Sequence, residues 1–243
     1  MGFKWLDFKI TKRCNNNCVY CGVRHDLPSY PEILSVANIT DTIYDAIYLG
    51  FTHFALLGGE PSIREDIDKI FSPFEDCPPV TLLVVTNGLV FNERMYREVF
   101  GSGAGIAKIV YSFDSFKKPN YKHQNPERVL EDIERIREIA QEYNSNVLIR
   151  SIEIHSVISR ENYREVSHFI EYFYDREIDV SLALVCPSEF VHDGKPKEYN
   201  RFTYEELNII INQLRDLQNK GLLNFPNTIL LEYLEKYPFG SWN

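Results

Sequence analysis

Apolar positions along the chain alternate between a period typical of strands and a period typical of helices. Six short runs rich in β-branched and aromatic residues predict strands at 5–11, 53–57, 80–86, 108–113, 146–154 and 179–185. Between them, apolar residues three and four positions apart predict helices at 38–49, 65–71, 93–100, 126–143, 162–174 and 204–220. Strands and helices that take turns in this way predict an α/β fold, a partial (β/α)6 TIM-like barrel built on a parallel sheet.

The pattern changes only near the C-terminal end of the sequence. We find no internal repeat, no Gly/Ser linker and no break in composition before about residue 222, and the stretch beyond it is aromatic and less regular. We therefore expect a core domain over 1–221 and a short helical C-terminal tail over 222–243. This tail either covers the barrel of a minimal protein or begins a further domain.

Composition and charge narrow the choice of partners. Hydrophobic residues make up 44% and charged residues 25% of the 243 residues, which is typical of a folded, water-soluble chain. The net charge of −9 gives no general attraction to nucleic acid or anionic lipid. Since no apolar run has the length of a membrane span or of a signal peptide, we expect a cytoplasmic protein without a nucleic-acid or membrane partner.

The clearest chemical signal is a group of three cysteines, Cys14, Cys18 and Cys21, directly after the first predicted strand. A reducing cytosol argues against disulfides, and thiolates this close in sequence suit zinc or an iron–sulfur cluster. A closed zinc site needs four protein ligands, and His25 is the nearest candidate for a fourth. A [4Fe–4S] cluster on three thiolates would instead leave one iron open to a small-molecule ligand.

Several predicted strands end in residues that a binding cleft needs, and the carboxyl ends of parallel strands share one edge of a sheet. These strand ends carry Gly58-Gly59-Glu60-Pro61, Thr86-Asn87-Gly88, Ser112-Phe113-Asp114 and Cys186-Pro187-Ser188-Glu189. Glycines let the backbone approach a ligand closely, and backbone carbonyls or the Glu60 carboxylate can accept hydrogen bonds from a cationic amino group. The alternative for the Gly-Gly segment is a tight strand-to-helix turn.

Taken together, the cysteine spacing, Tyr20 just before the last cysteine and the Gly-Gly-Glu-Pro segment after the second strand resemble the radical S-adenosylmethionine (radical SAM) superfamily. The resemblance covers about residues 5 to 190. It implies a [4Fe–4S] cluster on Cys14, Cys18 and Cys21, with SAM on the fourth iron. It also implies reductive cleavage of SAM to a 5′-deoxyadenosyl radical that abstracts hydrogen from a substrate. The chain looks most like the peptide-modifying branch with a SPASM or twitch auxiliary-cluster domain, but it lacks the further cysteines of that domain.

The same resemblance implies roles for residues at the strand ends. Those expected to bind SAM are Tyr20, Gly58, Gly59, Glu60, Pro61, Asn87, Ser112, Asp114 and Arg150. Arg150 is included because residues 121–124 lack the arginine that many relatives carry there, although a surface salt bridge explains it equally well. Cys186 is a candidate catalytic residue, as a hydrogen-atom donor or substrate contact, or else a small buried apolar side chain. We expect Cys77 to be inert, and His53 and His155 to be core or packing histidines.

The function that follows is a SAM-cleaving oxidoreductase or maturase acting on a peptide or small metabolite, with an electron donor such as flavodoxin or ferredoxin. One alternative is an activating enzyme that installs a glycyl radical on a partner protein. Another is a noncatalytic iron–sulfur or zinc-binding module. The open fourth ligand position and the Gly-Gly-Glu-Pro segment favour the enzyme, because passive metal binding explains neither.

Overall fold

The computed structural model of the protein describes residues 4–16, 18, 20–21, 32–116, 125–143, 152–185 and 201–236. Its strands are β1 (Trp5–Thr11), β2 (His53–Gly58), β3 (Thr81–Thr86), β4 (Ile106–Ser112), β5 (Ile152–Ile158) and β6 (Asp179–Leu184). They form one sheet in the order β1-β2-β3-β4-β5-β6, with β1 and β6 at its two ends. The pairs β1–β2, β2–β3, β3–β4 and β5–β6 are parallel. The predicted α/β class with a parallel sheet is therefore confirmed.

Helices alternate with these strands. They are α1 (Val36–Tyr48), α2 (Glu93–Gly101), α3 (Pro126–Tyr143), α4 (Val166–Tyr174), α5 (Tyr204–Asn219) and α6 (Phe225–Lys236). Two of them begin with a capping box, formed by Ser35 and Asn38 for α1 and by Thr203 and Glu206 for α5. In each box the hydroxyl of the first residue accepts a hydrogen bond from the backbone N–H three residues on. The side chain at that later position accepts the backbone N–H of the first residue in return. These polar pairs fix where the two helices start.

The chain divides into two compact units, each with its own core. The first contains β1–β4 and α1–α3, and its buried apolar side chains include Ile10, Phe54, Leu56, Leu82, Val84, Met95, Ile109 and Ile133. The second contains β5, β6 and α4–α6 together with Cys18, Tyr20, Cys21 and residues 113–116. Its core has an aromatic centre in which the Phe113 ring lies 5.8 Å from that of Phe169 and 6.2 Å from that of Phe173.

Three predicted elements differ from the observed ones by more than two residues at an end or in type. The helix predicted over 65–71 is wrong: short 3₁₀ turns at Pro61–Ile63, Ile67–Ile70 and Ser72–Phe74 occupy this region. The backbone of Arg64 is extended, with a ψ of 123°, which ends the first turn, and Pro73 has no N–H with which to continue a helix from 65–71. The helix predicted from residue 162 starts with a 3₁₀ turn, and α4 begins at Val166. The strand predicted over 146–154 overlaps β5 only at its end, and 146–151 lie outside the described residues.

A buried arginine joins the segment before α1 to the end of β1. The Arg64 guanidinium donates to the carbonyl oxygens of Ile10 at 2.6 Å and Leu34 at 2.8 Å, and it pairs with Asp66 at 2.6 Å. Its side chain is almost fully buried. Sequence reasoning missed it, because an arginine in an irregular segment is normally exposed. The charge is tolerated because the surrounding oxygens satisfy its donors.

Helix α6 completes the second unit at the outer strand of the sheet. The buried Asn227 side chain accepts the N–H of Leu182 at 2.9 Å and donates to the carbonyl of Val180 at 2.8 Å. An end strand leaves one row of backbone groups without a neighbouring strand, and this amide satisfies two of them. The division of the chain at residue 222 stays a prediction.

The two strand histidines make packing contacts, and burial of His155 makes the stability of the fold depend on pH. The His53 ring stacks on Trp5, with the centroids 5.5 Å apart, and His155 Nδ1 lies 3.0 Å from Ser181 Oγ. Burial lowers the pKa of His155 below its ordinary 6.5, and Glu153 partly offsets this. In the unfolded chain His155 therefore binds a proton near pH 6.5, whereas in the folded chain it binds one only at lower pH.

We expect the free energy of unfolding to fall as the pH drops below about 6.5, by up to about 1.4 kcal/mol per pH unit from this group. Urea unfolding at a series of pH values measures it. A His155→Gln variant should show a flatter pH dependence over the same range. Identical slopes for the parent and the variant would show that His155 does not titrate differently in the two states.

Candidate active site

In the first unit, the Gly-Gly-Glu segment after β2 holds the backbone that leads to the first cysteine. Gly59 donates its N–H to the carbonyl of Thr11 at 2.9 Å, and Glu60 donates its N–H to that of Arg13 at 2.8 Å. A Cβ on Gly58 would overlap the Thr11 carbonyl oxygen, and one on Gly59 would overlap that of Arg13. The glycines are thus needed for a close approach, but the approach described here is to the chain's own backbone.

The Glu60 carboxylate is buried and joins the end of β2 to the end of β3. Oε1 accepts the Ser62 N–H at 2.9 Å and the Thr86 hydroxyl at 2.6 Å, while Oε2 accepts the Asn87 N–H at 2.6 Å. Burial raises the pKa of Glu60, and the bonds from Thr86, Asn87 and Ser62 partly offset that rise. The carboxylate therefore fixes the strand ends on which the candidate site is built.

The Asn87 side chain reaches from the end of β3 to the cysteine loop. Its Oδ1 accepts the N–H of Leu89 at 2.9 Å, and its Nδ2 donates to Asn15 Oδ1 at 2.9 Å. The same Nδ2 lies 3.8 Å from the Cys14 sulfur, which also accepts the Asn16 N–H at 3.4 Å. The structure thus brings together Cys14 and Asn87, which are far apart in sequence, and it adds Asn15, which sequence reasoning passed over.

Gly88 follows Asn87 with a φ of 65°, and Tyr111 packs directly against it. The Tyr111 hydroxyl donates to the Gly88 carbonyl at 3.1 Å and lies 3.3 Å from Asp132 Oδ2 on α3. Burial raises the pKa of Tyr111 well above its ordinary value, so the phenol stays protonated. Sequence reasoning missed Asp132 because an aspartate within a helix is normally exposed.

We expect Gly88→Ala to destabilise the protein more than Gly50→Ala does. Gly50 also has a positive φ, 79°, but nothing lies within 4 Å of where its Cβ would be, so the strain alone costs about 1–2 kcal/mol. At Gly88 the new methyl group also overlaps the Tyr111 ring, which adds about 1–3 kcal/mol. Denaturant unfolding of both variants checks this, and equal losses would show that Tyr111 moves away without cost.

In the second unit, the other two cysteines form a turn that a tyrosine ties to the segment after β4. Cys21 donates its N–H to the carbonyl of Cys18 at 3.2 Å. The hydroxyl of Tyr20 donates a hydrogen bond to Asp114 Oδ2. Asp114 Oδ1 accepts the N–H of Val157 at 2.8 Å. Tyr20 and Asp114, both predicted to bind the cofactor, are therefore bonded to each other.

Asp114 is held from its backbone as well as from its side chain. Asn162 Nδ2 donates to the carbonyl of Asp114 at 2.8 Å and to that of Val157 at 2.9 Å. Both Asp114 and Asn162 are buried. Sequence reasoning did not single out Asn162, although asparagine before a helix is a known turn residue. A fixed Asp114 gives the Tyr20 hydroxyl one defined acceptor.

The remaining predicted residues fall in different places. Ser112 is the last residue of β4 and is half-buried, and Pro61 starts the 3₁₀ turn after Glu60. Arg150, Cys186 and His25 lie outside the described residues. Cys77 donates its thiol to the carbonyl of Phe74 at 3.5 Å, and burial raises the pKa of that thiol, which disfavours the reactive thiolate.

The chemistry of the cysteine loop fits an iron–sulfur cluster. Cys14, Cys18 and Cys21 are half-buried, and the Cys14 sulfur already accepts N–H groups, as cluster thiolates do. Within the described residues, no three His, Cys, Asp or Glu side chains are grouped tightly enough to hold one metal ion. In a [4Fe–4S] site each thiolate binds a different iron, so a cluster does not need that tight grouping.

No helix in the described part of the chain combines the length and the apolar character that crossing a bilayer would need.

Known proteins share this fold and sequence pattern. The family described as the Radical SAM superfamily matches residues 8–184. A GTP 3′,8-cyclase of Stenotrophomonas maltophilia is 25% identical over 218 residues, covering 87% of this chain and 62% of that protein. The molybdenum cofactor biosynthesis protein moc-5 of Caenorhabditis elegans is 27% identical over 219 residues, covering 87% and 34%. The chain thus spans less than two thirds of the length of these curated relatives.

Solved structures agree with the fold. Streptococcus suis SuiB bound to S-adenosylmethionine superimposes with a TM-score of 0.67 at 16% identity, covering 90% of this chain and 48% of SuiB. Native anSMEcpe with bound AdoMet gives a TM-score of 0.62 at 16% identity, covering 89% and 60%. The predicted partial barrel is confirmed by this likeness. Since the family match covers most of the sequence, the chain belongs to the radical SAM superfamily, whose enzymes use a [4Fe–4S] cluster and SAM.

Proposed function

We propose that Cys14, Cys18 and Cys21 hold the [4Fe–4S] cluster and that SAM binds its open iron. When bound, the cluster and SAM supply a 5′-deoxyadenosyl radical that removes a hydrogen atom from the substrate. The observation that carries the proposal is the family match over residues 8–184, because that stretch contains all three cysteines and the Gly-Gly-Glu-Pro segment. The chain's own residues bind and orient the two cofactors and keep water away.

We divide the site residues into those that position the cysteine loop and those that contact SAM. Glu60 and Asn87 position the backbone and the sulfur of Cys14 in the first unit, and Tyr20 and Asp114 position the Cys18–Cys21 turn in the second. We assign the backbone of 58–61, Ser112 and Arg150 to SAM contacts. Cys186 is assigned to the substrate side. These assignments follow the resemblance of the motifs and are tested by substitution.

A small molecule of the nucleotide class is the substrate we propose, with GTP as the first compound to test. Several curated relatives bear the name GTP 3′,8-cyclase, and the matched stretches cover 75% to 89% of this chain. SuiB bound to its precursor peptide matches at 15% identity, which supports the fold and gives no support to a peptide substrate. Of the two substrate classes expected from the sequence, the small molecule is therefore favoured.

The experiment uses anaerobically reconstituted, reduced protein with SAM and GTP, and ATP replaces GTP as the control. We expect GTP, but not ATP, to accelerate formation of 5′-deoxyadenosine. Joining positions 3′ and 8 requires a hydrogen to leave one of them, and the sp3 C3′–H bond is weaker than the bond to the aromatic C8. GTP deuterated at C3′ should therefore pass deuterium to 5′-deoxyadenosine. SAM cleavage at the same rate with either nucleotide would overturn the GTP assignment, and no cleavage at all would overturn the enzyme assignment.

The reductant and the compartment complete the proposal. Reduction of the cluster needs a one-electron donor, and a flavodoxin or ferredoxin is the class we propose. We propose the cytoplasm as the compartment, because a reducing environment keeps cysteines available as cluster ligands.

A further inference from the structure

The orientation of the Asn87 carboxamide is fixed by the groups around it. The backbone N–H of Leu89 can only donate, so the atom that it meets at 2.9 Å is the carboxamide oxygen. This leaves the amide nitrogen facing Asn15 Oδ1 at 2.9 Å and the Cys14 sulfur at 3.8 Å. The arrangement therefore directs an N–H donor at the sulfur.

The backbone of Asn87 is equally constrained. Its N–H is held by the Glu60 carboxylate at 2.6 Å, and the following Gly88 is packed against Tyr111. Asn87 itself is only 7% exposed. A side chain anchored at both its backbone and its oxygen keeps its N–H direction, so the bond to Cys14 is a lasting part of the sulfur's surroundings.

We propose that Asn87 is a positioning residue that raises the reduction potential of the cluster by donating a hydrogen bond to the Cys14 thiolate. This inference rests on the proposed function, in which Cys14 is a cluster ligand. Reduction adds negative charge that spreads onto the ligand sulfurs, so an N–H donor stabilises the reduced cluster more than the oxidised one. The Asn16 N–H, at 3.4 Å from the same sulfur, acts in the same direction.

The test is a potentiometric titration of the reconstituted cluster, followed by EPR, in the parent, Asn87→Ala and Asn87→Asp. At the potential where the parent is half reduced, we expect the ratio of reduced to oxidised cluster to fall about tenfold in Asn87→Ala, which is about 59 mV for one electron. In Asn87→Asp this ratio should fall at least as far, because the substitution replaces the N–H donor with a negative charge.

Two controls separate the hydrogen bond from other effects. Asn92→Asp makes the same charge change at the start of α2, where the Asn92 side chain bonds to the backbone of Ser62 and Met95. We expect the ratio of reduced to oxidised cluster in this variant to stay within twofold of the parent. Asn15→Ala removes the other acceptor of the Asn87 amide and leaves the bond to sulfur, and we again expect less than a twofold change.

The outcomes are distinguishable. An unchanged potential in Asn87→Ala, or an equal shift in Asn15→Ala, would overturn the inference, as would folded Asn87 variants that assemble no cluster. Failure of the parent protein to bind a cluster would overturn the proposed function itself.

Discussion

Alanine in place of Cys14, Cys18 or Cys21 is expected to abolish the cluster and to lower SAM cleavage more than about a hundredfold. Loss of a residue that only supports a metal ligand already costs 10–100-fold in metal affinity or activity, and loss of a ligand should cost more. The measurement is iron and acid-labile sulfide per chain after reconstitution, together with the rate of 5′-deoxyadenosine formation.

Cys77→Ala is the matched control for these variants. Cys77 lies far from the cysteine loop in sequence and donates its thiol to a backbone carbonyl, so its loss should leave the iron content and the SAM cleavage rate within about twofold of the parent. Full iron and sulfide in any of the three loop variants would contradict the assignment of the ligands.

Glu60→Ala is expected to lower the free energy of unfolding by about 3–9 kcal/mol. The substitution leaves the Ser62 N–H, the Thr86 hydroxyl and the Asn87 N–H without their acceptor in a buried place, and each such loss costs about 1–3 kcal/mol. Urea unfolding measures the change. SAM cleavage should fall as well, because the Asn87 backbone loses its anchor.

Glu60→Gln separates hydrogen bonding from charge at the same position. Its remaining carbonyl oxygen can still accept two of the three bonds, so we expect about half the destabilisation of Glu60→Ala. If the free energy of unfolding of Glu60→Ala lay within about 1 kcal/mol of the parent's, this would contradict a buried carboxylate that accepts three hydrogen bonds.

The strands were largely readable from the sequence, because their signal is local. β1 was predicted over its full length, and β2, β3 and β6 to within one residue at each end. The region after Pro61 was not readable in the same way. Its apolar spacing resembles a helix, but the chain forms short 3₁₀ turns there, and the side chain of Arg64 between two of them is buried against the carbonyl oxygens of Ile10 and Leu34, a tertiary contact that the local spacing does not show.

The candidate site was readable where its residues are close in sequence. The spacing of Cys14, Cys18 and Cys21 is enough to predict a metal or iron–sulfur site. The bond from Asn87 to Cys14 spans 73 positions and that from Tyr20 to Asp114 spans 94. The sequence predicts that the strand ends share one edge of the sheet, but it does not predict which side chains form hydrogen bonds there, and Asn162 and Tyr111 were missed for the same reason.

The central claim is that three cysteines of this chain hold a [4Fe–4S] cluster whose open iron binds SAM. The most direct test is the EPR spectrum of the reduced, reconstituted protein before and after SAM is added. The account predicts a [4Fe–4S]⁺ signal that changes with SAM and is absent from the variant with all three cysteines replaced by alanine. A protein that forms no such cluster, or a cluster signal that SAM leaves unchanged, would contradict it.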